Sequence, residues 1–371
     1  MKKYLIIILL GVLFVVSCRR VELARPGTGN CELRISLETD IFKTKAVTPG
    51  NGEIWDGGGV YIDNTDPGNP IPDLVILIFD SNGDIAACYP GTNSTLEENP
   101  DETEMSVVFT SLDEGTYTVY AFANTEGYWS MVGQGGMTPK NYLLSLTTAG
   151  AVEALQFSDL FASIPASVCP YDQDDVENHV FDRLPLSAKG TARVSSLHAG
   201  AVSLELLRCV AKVSCEFINN TGAELTLYDF SNTLDGICPN SGYVVLHETD
   251  FPSGALSGNI IASESSLTIP AWNDPDTRLE LGSITRYWYV FPSTGPYTCD
   301  VTFTMFKGEA GERTYTYSDL PVHDDHAVSI PSLPRNRHLH IVTKISKGTS
   351  VSFNFEVSGW GSPIEENVLF D

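Results

Sequence analysis

The chain has 371 residues, long enough for two ordinary domains at ~150 residues each. Its 22 Lys+Arg against 47 Asp+Glu, a formal net charge of −25, exclude a nucleic-acid partner, because phosphate binding needs a basic patch. The acid excess fits a self-repelling surface protein, and the eight cysteines show no CxxC spacing to hold a zinc cluster.

The N-terminus reads as an export address. Met1-Lys2-Lys3 supplies positive charge, and the thirteen residues from Tyr4 to Val16 are apolar. That run is shorter than the ~20 residues a spanning helix needs, so residues 1–17 read as a signal peptide. Val15-Val16-Ser17-Cys18 resembles a bacterial lipobox, in which the cysteine is acylated and becomes the new N-terminus. Acyl chains on Cys18 would hold the mature chain on a membrane, each buried methylene adding ~0.8 kcal/mol.

Residues 18–45 follow as a lipidated segment. Within it Cys31, Leu33, Ile35, Leu37, Thr39 and Ile41 alternate with Glu32, Arg34, Ser36, Glu38 and Asp40. Period two predicts a strand with one buried and one wet face. It stops at Lys43-Thr44-Lys45, a trypsin-type cut site.

The body is predicted all-β, as two tandem β-sandwich domains over 46–195 and 196–371 with very little helix. In the first, Leu74–Phe79 is continuously apolar and Asp80-Ser81-Asn82-Gly83-Asp84 reads as a hairpin turn. "MSVVFTSLDEGTYTVYAFA" repeats the arrangement of strand, acidic-Gly turn and strand. "NYLLSLTTAGAVEALQFSDLF" is the one stretch with a helical period, and the acidic clusters Glu97–Glu104 and Asp172–Glu177 read as solvated loops. Beyond a boundary near Arg183–Gly200, strands recur at "VSLELLRCVAKVSCEFIN", "ITRYWYVFP", "YTCDVTFTMF", "RHLHIVTKI" and "VSFNFEV".

Chemistry-bearing residues are sparse. His323 and His326 lie in a polar turn, while His338 and His340 sit two apart on a strand and face one side. Two imidazoles could begin a zinc site, but no dedicated third ligand is evident, so no metal or other cofactor is expected. No G-x-S-x-G, HExxH or phosphate loop occurs, and no enzyme is expected. Tyr287-Trp288-Tyr289 reads as core or cross-strand packing, or as a sugar-stacking platform. With Cys18 given to lipid, seven cysteines remain. Cys209 and Cys215, on one strand ~20 Å apart, cannot pair with each other. Cys238 and Cys299 are candidate partners, and most of the thiols read as small buried apolar groups.

Together these segments resemble fimbrillins, the lipoprotein-derived subunits of type V pili in Gram-negative bacteria. The matching residues are "LVILIFDSNGDI" and "GTYTVYAFANTEG", then "LLRCVAKVSCEFIN", "YWYVFPSTG", "LPRNRHLHIVTKI" and the late tryptophan of "FEVSGWG". "LPLSAKG" sits where the family carries its interdomain proline segment. The resemblance implies transthyretin-like sandwiches, an outer-membrane lipoprotein at the cell surface, and assembly with other fimbrial subunits. It also implies that a trypsin-like surface protease removes the first strand, so that a strand from the next subunit fills the groove. Leu33, Ile35, Leu37 and Ile41 would then form a removable plug, and Lys43 and Lys45 the processing site. Val368, Leu369 and Phe370 in the C-terminal tail would form a candidate donor strand, or an edge closure of their own domain.

Cleavage in that family follows arginine, whereas this linker offers lysine. An uncut chain would keep plug and lipid and serve as the anchor subunit of a pilus. A further reading is a glycan-binding surface lipoprotein using Trp129 or Trp288, with a host or bacterial surface ligand.

Overall fold

The computed structural model describes residues 29–38, 62–63, 71–98, 105–125, 136–160, 184–237, 244, 259–270, 282–323, 329–346 and 350–359. Its strands in the first half are β1 (Cys31–Glu38), the short β2 (Ile62–Asp63) and β3 (Ile71–Pro72), β4 (Leu74–Phe79), β5 (Ile85–Tyr89) and β6 (Ser94–Glu98). They continue as β7 (Met105–Leu112), β8 (Gly115–Ala123), β9 (Leu186–Val194), β10 (Gly200–Glu205) and β11 (Leu207–Arg208). Two sheets, ordered β10-β1-β7-β6 and β11-β9-β8-β4-β5, enclose one core.

The all-β expectation holds, and three short helices fall in the stretch with a helical period. These are α1 (Pro139–Leu144), α2 (Ala149–Glu153) and α3 (Phe157–Leu160). Thr138 and Thr148 cap the first two, each side chain accepting a backbone N–H. Leu143, Val152, Leu155 and Leu160 form a second core with Val75, Leu77 and Phe79. That explains the unbroken apolar run of β4: Leu74, Ile76 and Ile78 face the sandwich, while Val75, Leu77 and Phe79 face the helices. A strand buried on both faces loses its alternation.

The turn at Asp80–Asp84 closes β4 onto β5 as expected, with Gly83 at φ +83 and Asp80 accepting from Asn82 N and Asp84 N. The second expected hairpin is not one. β7 pairs with β1 and β6, whereas β8 pairs with β4 and β9, so residues 113–114 carry the chain between sheets. The Tyr117 hydroxyl spans the corner, donating to Asp113 O at 2.8 Å.

The second unit has β12 (Ala211–Asn220), β13 (Leu225–Asp235), β14 (Asn259–Ile269), β15 (Ser283–Val290) and the short β16 (Ser293–Thr294). β17 (Thr298–Met305), β18 (Arg313–Pro321), the short β19 (Ser332–Leu333), β20 (Arg337–Ser346) and β21 (Ser350–Gly359) complete it. Its sheets run β15-β12-β20-β21 and β14-β13-β17-β18 around a separate core. The sheets do not divide at residue 196. β10 and β11 pair with β1 and β9 of the first unit, so the change of unit falls after Arg208. Strand pairing overrides the Ser/Gly/Ala composition there, because both edges of β1 need partners. Among the described residues no helix is long and apolar enough to cross a membrane.

Candidate functional site

β1 is an internal strand. It runs antiparallel to β7 and parallel to β10, with Leu33 opposite both Phe109 and Gly200, and Leu37 opposite both Met105 and Leu204. Leu33, Ile35 and Leu37 are 0% exposed, and Cys31 is buried beside them. The other face is wet: Arg34 pairs with Glu97 at 2.6 Å, and Ser203 Oγ donates to Glu38 at 2.6 Å. Both partners of that ion pair are about half exposed, so it adds at most ~1 kcal/mol. Burial dominates, at ~1.5–3 kcal/mol for each of the three aliphatic side chains, as an upper bound. Taking β1 away would leave β7 and β10 with unpaired edges over an exposed core.

The two units meet on Arg335. Its guanidinium donates to Arg208 O (2.8 Å), Leu207 O (2.6 Å), Val244 O (3.1 Å) and Ser187 Oγ (2.9 Å). Arg208 returns a bond to Asn336 Oδ1 at 2.8 Å, and Asn336 N donates to Val210 O at 2.9 Å. Arg335 is buried, and desolvation lowers its pKa from the usual arginine value. A planar fork with five donors suits a ring of acceptors that a lysine could not fill.

On the outer face of the second unit, His338 and His340 do face one side, as the spacing predicts. Ser214 Oγ lies 2.6 Å from His338 Nε2 and 2.6 Å from His340 Nδ1, and His340 Nε2 lies 3.1 Å from Glu216. A carboxylate only accepts, so His340 Nε2 carries a hydrogen, and its bare Nδ1 can accept from Ser214. Ser214 oxygen is then free to accept from His338 Nε2–H. Burial first, then Lys212 and His340, push the His338 pKa down to about 2. Ser214 is fully buried, so this Ser-His-Glu relay has no reactive atom open to a substrate. Among the described residues no group of three or more His, Cys, Asp or Glu could hold a metal ion.

The model of the family described as fimbrillin-A associated anchor proteins Mfa1 and Mfa2 matches residues 67–366. The chain belongs to this family. No curated protein matches. Solved structures similar to this Mfa1/Mfa2-family chain include a candidate cell-adhesion protein of Bacteroides eggerthii. It is 14% identical at TM-score 0.49, covering 91% of this chain and 97% of that one. A candidate cell-adhesion protein of Parabacteroides distasonis is 11% identical at TM-score 0.47, covering 91% and 99%. A fimbrilin of Porphyromonas gingivalis is 12% identical at TM-score 0.44, covering 88% and 97%. The family is one of fimbrial surface proteins, so the coarse expectation of a fimbrial, adhesion-type protein holds.

Of the residues predicted to act in the family chain, Leu33, Ile35 and Leu37 come together in β1. Cys18, Ile41, Lys43, Lys45, Val368, Leu369 and Phe370 lie outside the described residues, as do Trp129, Cys238 and the side chains of Tyr287, Trp288 and Tyr289. Cys31, Cys88, Cys209, Cys215 and Cys299 are free, buried thiols, in keeping with their reading as small apolar groups. The Arg335 ring was visible beforehand only as part of a resemblance. Its acceptors are mostly backbone carbonyls, which leave no mark on a sequence.

Proposed function

We propose that the chain is the lipid-retaining anchor subunit of a surface fimbrium, exported as an outer-membrane lipoprotein acylated at Cys18. The observation that carries this reading is the internal place of β1, with both edges paired and its apolar face in the core. While β1 stays, the first sandwich has no open slot for another subunit's strand. It therefore ends a chain of subunits rather than continuing it. Only thirteen residues separate Cys18 from Cys31, a reach of at most ~45 Å, so the first unit stays beside the membrane.

Two features of the sequence support retention. Residues 39–61 contain no arginine, and Arg34 lies inside β1, paired with Glu97. In the tail, Ile364, Glu366, Val368 and Phe370 share a period-two frame, so a strand from this tail would bring a carboxylate to an apolar slot. The second unit would then carry contacts to the fimbrial subunits beyond it.

One observation favours a second reading. β1 has the alternating form of an exchangeable plug and is followed by Lys43 and Lys45, so a lysine-cutting, trypsin-like protease could release it. The slot between β7 and β10 would then take a donor strand by backbone pairing. Mass spectrometry of the N-terminus of protein from its native cell surface separates the two. Acylated Cys18 joined to β1 supports the anchor; a start at Thr44 or Ala46 without β1 overturns it in favour of a polymerising subunit.

A further inference from the structure

The register of the second unit builds a surface that the fimbrial reading does not use. Directly opposed residues of neighbouring strands share a face. Across β14, β13, β17 and β18 one row reads Ser266, Tyr228, Thr304, Thr314. The next reads Ser263, Ser231, Thr302, Thr316. All eight side chains carry a hydroxyl and none a charge. They lie on the face away from the core, which Leu227, Val301 and Phe303 line from the other side. Thr304 and Thr314 hydroxyls are 2.9 Å apart, and the Thr226–Thr268 pair, at 3.1 Å, extends the array toward one end.

Other outward faces are different. That of β1, β7 and β6 carries Glu32, Arg34, Glu38 and Glu97; that of β12 and β20 carries Lys212, Glu216, His338, His340 and Lys344. In a chain of net charge −25, two uncharged rows over four strands stand apart. Cross-strand threonine pairs help a sheet by roughly 0.2–1 kcal/mol, but serine is not a strand-favouring residue, and three of the eight are serines. Charge stays at the margin, where Asp229 is paired with Lys307 at the bulge between the rows.

The chemistry of the face selects its partner. Each hydroxyl both donates and accepts, and the array attracts neither cations nor anions. The surrounding acidity repels nucleic acid and anionic lipid. Tyr228 places one half-buried aromatic ring among the hydroxyls, and the array repeats every ~4.8 Å across the strands, about the length of one sugar ring. Hydroxyls around a ring suit the hydroxyl edges and C–H face of a pyranose. We propose that the outer face of β14, β13, β17 and β18 binds a neutral polysaccharide laid across the strands. Contact per sugar is weak, and many copies on one cell surface would raise it by avidity. This assignment is independent of how β1 is processed.

The test is affinity electrophoresis of the mature full chain, left unlipidated by Cys18→Ser, in gels containing mannan, mixed-linkage β-glucan, dextran or, as an anionic control, heparin. Retardation by at least one neutral polysaccharide and not by heparin is expected. Ser263→Asp with Thr316→Asp, both at exposed positions, should weaken it at least about tenfold by forcing carboxylates against uncharged sugar, without moving Tm. Tyr228→Ala should weaken it as well. No retardation in any neutral gel, or retardation that survives the double substitution, overturns the proposal. Concentration-dependent dimerisation that the double substitution abolishes, with no retardation, would make the face a self-association surface and overturns it too.

Discussion

Gly200 lies opposite Leu33 across the β10–β1 pair, and a Cβ on Gly200 would stand 3.1 Å from Leu33 Cδ1. The same Cβ would meet Arg193 O at 2.9 Å and Val194 Cγ2 at 3.0 Å. A side chain at position 200 therefore competes with the first apolar anchor of the plug strand. Gly200→Val should overpack the site and destabilise the first unit by ~1–3 kcal/mol. Because β1 is the element pressed upon, its local opening should become easier than global unfolding. Limited trypsinolysis followed by mass spectrometry should then show faster cleavage at Lys43, Lys45 or Arg34 than in the parent. Unchanged cleavage would mean that β1 is not held by this contact.

Arg335 makes a prediction about cooperativity. Four acceptors, Arg208 O, Leu207 O, Val244 O and Ser187 Oγ, depend on one guanidinium. Arg335→Met keeps much of the stem but leaves these acceptors dry, at ~1–3 kcal/mol for a buried unsatisfied group. Arg335→Lys should rescue little, since a single ammonium cannot reach the same fork of partners. Because the ring joins β9, β11 and the turn before β20, calorimetry of either variant should split into two transitions where the parent shows closer coupling. A single transition at the parental temperature would remove Arg335 from the junction.

What the sequence made legible follows from physics that is local. The strand at Cys31–Glu38 was readable because one face is core and the other water, which writes itself as period two. β4 was readable as apolar but not as doubly buried, since its second face is covered by α1–α3 from 60 residues further on. The corner between β7 and β8 looks like a hairpin because residues 113–115 have turn chemistry; which sheet each strand joins is decided by distant partners. The misplaced unit boundary has the same origin, for Gly200–Arg208 belongs with β1 and β9, pairings no linker composition records. His338 and His340 were found as a pair, but Ser214, which holds them, lies over a hundred residues earlier.

Asn232 is buried between two thiols on facing sheets. Its Nδ2 donates to Cys215 Sγ at 3.2 Å, and Cys299 Sγ donates to its Oδ1 at 3.1 Å. Desolvation first, then Asp300 and Asp235, push the Cys299 thiol up to about 12, so it stays protonated and donates rather than reacting. Native protein should leave Cys215 and Cys299 unlabelled by a thiol reagent at pH 8, and both should label once the chain is unfolded. Asn232→Asp would replace the donating amide with a buried carboxylate, and a loss of several kcal/mol in urea unfolding is expected. A variant as stable as the parent would show that water reaches this site.

The His338 relay sets an acid limit on stability. In the fold its pKa falls to about 2 from an ordinary 6.5, because the imidazole is desolvated and Lys212 and His340 lie near it. Above pH 6.5 the side chain is neutral in both states, so its contribution is fully present. Below 6.5 the unfolded chain takes up a proton that the folded chain refuses, and stability falls as pH drops toward 2. The expected slope from this one group approaches ~1.4 kcal/mol per pH unit. His338→Asn should keep a hydrogen-bond partner for Ser214 while removing the titration. Urea midpoints measured from pH 8 to pH 4 should then decline less steeply in the variant, even if its stability at pH 8 is lower. Parallel pH profiles would mean that His338 is protonated in the folded chain, and would place the proton of the relay on the Ser214–His338 pair rather than at His340 and Glu216.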